Sequence, residues 1–138
     1  MRVVLDSNVF ISGLMLPQSI PGKILAAWAG GQFDLVLSEP MLGEISRVLS
    51  YSKISRRIGW DAEKIARYIA LLRFEAAIVS IEGIAADVPG DPNDSPILAT
   101  FLAGKADCLV SGDDHLLCLA GEYPICSPAE FVSRIFHA

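Results

Sequence analysis

The chain has 138 residues, 52% hydrophobic and 20% charged, with a formal net charge of −5. That length suits one domain, taken here as residues 1–138, whose core needs neither disulfides nor a structural metal. The composition excludes disordered and collagen-like chains, and although mean hydropathy is +0.46, no apolar run reaches the length of about 18 to 20 residues that spans a bilayer.

Val3-Val4-Leu5 is a β-rich run closed by Asp6 and reads as a buried first strand. The run is too short for a signal-peptide core and an acid follows at once, which places the protein in the cytoplasm with no membrane partner. Asn8 to Leu16 reads as a helix stopped by Pro17, and Pro21 opens a second helix, Gly22 to Ala29, ended by Gly30-Gly31. Leu35-Val36-Leu37 is a second strand. Ser38 is placed to cap the next helix, with Pro40 in its first turn and Met41, Leu42, Ile45, Val48 and Leu49 on one side. Helix continues through residues 52–73, broken at Gly59 and restarted by Asp61, with Ile65, Tyr68, Ile69 and Leu72 sharing a face.

Ala76 to Ile81 reads as a third strand, followed by a turn-rich loop, Val88 to Asp94. Asp94 is placed to cap a helix with Pro96 in its first turn, running from Ile97 to Ala103. Cys108-Leu109-Val110 is a fourth strand leading through Ser111-Gly112-Asp113-Asp114 into a short helix. Pro124 to Cys126 is a last short strand, and Ser127-Pro128-Ala129-Glu130 is a capping box that starts the final helix. Strands alternating with helices predict a three-layer α/β/α fold around a parallel sheet of four to five strands. Cys108, Cys118 and Cys126 match no zinc spacing and read as buried reduced thiols.

Sites in open α/β sheets form beyond the carboxyl ends of the strands. Asp6 and Asp113 follow strands, Asp94 starts a helix facing the same edge, and Glu44 lies early in the helix after the second strand. Each has a structural explanation as a cap or an i,i+3 partner of Arg47. Together on one rim, four carboxylates would repel one another unless a cation joined them, and oxygen-only donors select Mg²⁺ or Mn²⁺.

Charge is unevenly spread. Residues 47–73 carry a net +5 and residues 82–138 a net −7. Either the basic stretch is the wet face of amphipathic helices or it guides a polyanion toward the carboxylates. Arg47, Lys53, Arg56 and Arg57 follow Glu44 closely and are candidate phosphate contacts. Tyr51 and Trp60 are candidate stacking groups, Trp60 and Trp28 being equally readable as core. His115 reads as a surface group at a helix start, and His137 carries no inference.

Val4-Leu5-Asp6-Ser7-Asn8-Val9, Glu44-Ile45-Ser46-Arg47-Val48-Leu49, Asp91-Pro92-Asn93-Asp94-Ser95 and Leu109-Val110-Ser111-Gly112-Asp113 resemble, in order, the four motifs of PIN domains. The likeness runs from Met1 to about Ser127, and the branch it resembles is that of the VapC toxins of toxin–antitoxin pairs. The resemblance implies a metal-dependent ribonuclease giving 5′-phosphate and 3′-hydroxyl ends, with Mg²⁺ or Mn²⁺ as cofactor, RNA as substrate, a small antitoxin as partner, and homodimer formation. It places Asp6, Glu44, Asp94 and Asp113 on the family's acidic quartet and Asn8 and Ser111 on the supporting polar positions. The third motif departs from the pattern, having Asn93 and Ser95 where relatives often carry more acid. Asp91 is therefore a substitute ligand there, and Asp114 competes with Asp113.

Two other readings stand beside this one. Asp6-Ser7-Asn8 and Gly112-Asp113-Asp114 also fit an aspartyl-phosphate phosphatase, though position 8 lacks the usual acid and Lys105 precedes a strand instead of following one. A catalytically idle PIN fold serving as a binding module is the third, and the filled acidic positions weigh against it.

Overall fold

Val3, Val4 and Leu5 are completely buried, as are Val36, Leu37, Cys108, Leu109 and Val110. Such unbroken apolar runs belong to strands covered on both faces. The computed structural model describes residues 1–89 and 95–136. Among these, five strands, β1 (Arg2–Leu5), β2 (Asp34–Leu37), β3 (Ala77–Ile78), β4 (Cys108–Val110) and β5 (Ile125–Cys126), form one parallel sheet in the order β3-β2-β1-β4-β5. Eight helices flank it: α1 (Ser7–Met15), α2 (Ile20–Ala29), α3 (Glu39–Leu49), α4 (Ser52–Ile58), α5 (Ala62–Glu75), α6 (Ser95–Ala103), α7 (Asp114–Leu117) and α8 (Pro128–Phe136). This is the predicted three-layer arrangement.

The central strand β1 aligns Val3 with Leu35 of β2 on one side and with Cys108 of β4 on the other. Because all neighbours run in one direction, the residues after Leu5, Leu37 and Val110 emerge at the same edge. The junction is tied by the Asp6 N–H, which donates to the Val110 carbonyl at 2.9 Å. At the opposite edge the Arg2 N–H donates to Asp107 at 2.7 Å.

Several helix ends follow the chemistry read from the chain. Asp61 accepts from the Lys64 N–H at 2.8 Å, Gly59 ends α4 with φ +71°, and Ser127 and Glu130 exchange the two bonds of a capping box. Helix α2 begins at Ile20, earlier than Gly22, because Ser19 caps it by accepting from the Gly22 N–H. A 99° bend separates α1 from α2. Gly22 lets the start of α2 fold against the turn that joins the two helices, since a Cβ there would clash with the Pro17 carbonyl oxygen.

Three expectations need correction. The third strand is two residues long instead of six, because its neighbour β2 ends at Leu37, where Ser38 turns into α3 and leaves nothing further to pair. Ser38 holds the cap position of α3 without capping it. Pro40 removes one of the N–H groups a cap would serve, and the fully buried Ser38 hydroxyl instead meets Thr100 Oγ1 at 2.7 Å. Cys118 is exposed, whereas Cys108 and Cys126 are buried with their sulfurs 3.2 Å apart. None of the described helices is long and apolar enough to cross a membrane.

Candidate metal centre at the carboxyl edge of the sheet

Asp6 leaves β1 at its carboxyl end and occupies the cap position of α1, where the Asn8 backbone N–H faces its carboxylate. It is 4% exposed and turns to β4, where the Ser111 hydroxyl donates to Oδ2 at 2.7 Å. Ser111 is itself fully buried, and its oxygen accepts from the Asp113 N–H at 2.9 Å. One hydroxyl therefore fixes the first-strand acid and the turn that carries the fourth-strand acid. Asp113 is partly exposed and caps α7 by accepting from the His115 N–H at 2.7 Å. Asp114 is exposed on the first turn of α7.

Glu44 enters from α3, where Ile45 and Met41 are buried and anchor the helix. Its Oε2 accepts from the Ser7 hydroxyl at 2.8 Å, and its Oε1 lies 4.0 Å from Arg47 Nη2. Ser7 is buried, directly follows Asp6, and opens α1. Its role was missed in the sequence. The available signal was a hydroxyl at the first helical position beside a strand-end acid, which keeps its oxygen at the sheet edge.

Burial pushes the Asp6 carboxyl above the ordinary aspartate range. The Ser111 hydroxyl opposes this most, followed by the Asn8 backbone N–H, while the negative charges of Glu44 and Asp113 push it further up. Asn8 thus acts on Asp6 through its backbone, its side chain being exposed. Glu44 and Asp113 are each brought within electrostatic reach of Asp6. Asp94 and Asp91 lie outside the described residues. Among the described residues, no three His, Cys, Asp or Glu side chains close around one point as they stand.

The donor set nonetheless fits a hard cation in kind. It consists of carboxylate oxygens, one of them buried and facing two like charges, so a divalent ion would relieve a penalty that the fold otherwise carries. Arg47 is exposed one turn beyond Glu44. Lys53, Arg56 and Arg57 are exposed on α4, which packs against α1 and α3, the helices bearing Ser7 and Glu44. Tyr51 is exposed. Trp60 is half-buried, edge-on to Tyr68 at 5.2 Å with the Lys64 ammonium over its ring, and Trp28 is also half-buried.

A parallel sheet with acids gathered at its carboxyl edge defines the class, and comparison with known proteins supplies the family. The PIN domain sequence profile matches residues 2–115. The chain belongs to the PIN domain family. It is 30% identical over 132 residues to an uncharacterised protein of Methanocaldococcus jannaschii, covering 88% of this chain and 76% of the relative. Its fold is similar to the crystal structure of VapBC2 from Rickettsia felis bound to a DNA fragment from their promoter, with TM-score 0.60, 14% identity, and coverage of 92% of this chain and 98% of that one.

Proposed function

We propose that this protein is a metal-dependent endoribonuclease that hydrolyses RNA phosphodiesters, and that it is the toxin of a toxin–antitoxin pair. The observation that carries the reading is the buried Asp6 carboxylate facing the charges of Glu44 and Asp113 at one sheet edge. A stability role alone gives no reason to gather two carboxylates around a third, buried one. Membership of the PIN family and the likeness of the fold to a VapBC assembly support the toxin assignment and a protein partner.

Asp6, Glu44 and Asp113, joined by Asp94 or Asp91 of the third motif, would hold Mg²⁺ or Mn²⁺. When bound, such an ion supplies neutralisation of phosphate charge and lowers the pKa of water. The protein's own side chains do the rest. Ser111 favours the ionised form of Asp6 and aims it by donating to Oδ2, and Ser7 holds Glu44 at the edge by donating to Oε2. Lys53, Arg56 and Arg57 offer cationic groups along α4 to the RNA backbone, and Arg47 offers one on α3 beside Glu44. An antitoxin would silence the site by placing a basic side chain among the acids. The phosphatase alternative is disfavoured by Lys105, which precedes β4 and so stands at the opposite sheet edge from Asp6.

The test is cleavage of a mixed RNA pool with Mg²⁺, Mn²⁺ or EDTA by wild type and Asp6→Asn. Cutting that needs the metal and falls by orders of magnitude in the variant is expected. Equal cutting by both proteins identifies a contaminant and removes the proposal, and covalent phosphate trapped on Asp6 replaces it with the phosphatase.

A further inference from the structure

Beside the carboxylates, between the first turns of α3 and the start of α6, lies a cavity of about 300 Å³ lined by Pro40, Met41, Glu44, Arg47 and Pro96. That size is at the lower end of the range for small-molecule sites, about 300–1,000 Å³. We propose that this cavity seats an unpaired guanine of the RNA next to the scissile phosphate, with Arg47 reading the base. The inference rests on the ribonuclease reading and adds to it a specificity-determining residue and a preferred substrate.

Three observations carry it. Glu44 belongs both to the cavity wall and, through Ser7, to the cluster around Asp6. A base seated in the cavity therefore leaves its sugar and phosphate at the acids. Within a lining that is mainly polar, Pro40 and Pro96 offer apolar faces against which a base plane packs, while Met41 is buried in the wall. Among the described lining residues the cation is Arg47, whose side chain is 65% exposed and held by a loose 4.0 Å ion pair at the limit of such contacts. An exposed pair of that kind costs little to break, so the guanidinium is available to a ligand. Its paired N–H donors match the O6 and N7 acceptors on one edge of guanine, an arrangement adenine lacks on the same edge. The base must be unpaired, because one stacked inside a duplex cannot enter a pocket.

Two measurements test this. In the first, the metal-free protein in EDTA is titrated with guanosine, adenosine, cytidine and uridine, following the Met41 methyl resonance. Guanosine is expected to bind about tenfold more tightly than the others, and Arg47→Ala to lose that advantage. Equal affinities, or unchanged selectivity in Arg47→Ala, overturn the proposal. In the second, cut positions are mapped in a random single-stranded RNA with Mg²⁺. Wild type is expected to cut beside guanines, and Arg47→Ala to scatter its cuts. Cutting that depends on Asp6 but ignores base identity overturns the guanine subsite while leaving the ribonuclease intact. No cutting that depends on Asp6, with guanosine selectivity retained, overturns the ribonuclease while supporting base recognition by Arg47.

Discussion

Asp6 is the side chain on which the site turns. Its carboxyl is raised in the folded protein, so folding favours its protonated form. Its contribution to stability is therefore full below the ordinary aspartate range and is lost as pH rises through the raised value. Without metal, Asp6→Asn should raise the melting temperature at pH 7 by a few degrees, because a buried charge is removed. Mg²⁺ should raise it further for wild type but not for the variant. Scanning calorimetry with and without Mg²⁺ checks both. Ser111→Ala removes the strongest opposing influence, so the Asp6 carboxyl rises again. The acid limb of the RNA cleavage profile should move to higher pH, an effect a purely structural serine would not produce. Stability should fall by about 1 to 2 kcal/mol.

At the scale of elements, α3 and α6 are pinned together by Ser38 and Thr100. Thr100 Oγ1 spends its one proton on the Pro96 carbonyl at 2.7 Å, so Ser38 must be the donor between them. Removal of the two hydroxyls should then be unequal. Thr100→Val strands a buried donor and should cost about 1 to 3 kcal/mol, more than Ser38→Ala, which leaves only an acceptor short. Urea unfolding of the two variants decides the order. At the turn joining α1 to α2, Gly22→Ala would drive a methyl group into the Pro17 carbonyl and should cost about 3 kcal/mol, read the same way. Helix starts were legible in the chain where the capping group had no competing partner, as at Asp61 and Ser127. They were misread where the side chain had a tertiary partner, as at Ser38, since no local pattern reveals a hydroxyl 62 residues away.

For the whole molecule, the sheet and its strand-end acids were readable because buried parallel strands announce themselves as apolar runs, and the residue after each run must lie at the sheet edge. Asp6 and Asp113 followed from that rule, and Glu44 from its place early in the helix after the second strand. Ser7 did not, because a serine after an aspartate is ordinary until the fold brings Glu44 to it, 37 residues on in sequence. The molecule is acidic overall while α3 and α4 present Arg47, Lys53, Arg56 and Arg57 to solvent. RNA binding should therefore weaken steeply with salt. Replacing Lys53, Arg56 and Arg57 by alanine should flatten the slope of log affinity against log salt by about 2, since each contact to single-stranded RNA contributes about 0.7. Filter binding at several ionic strengths measures it.

The bond from Ser111 to Asp6 spans 105 residues, and β1 lies in the middle of the sheet, between strands supplied by the early and late parts of the chain. A polypeptide still emerging from the ribosome holds Asp6, Ser7 and Glu44 long before it holds the serine that orders the first of them. Under vectorial synthesis the acidic cluster stays unassembled until β4 has been made and has slid in beside β1. A product ending before β4 would carry Asp6, Ser7 and Glu44 but lack the hydroxyl that orients Asp6.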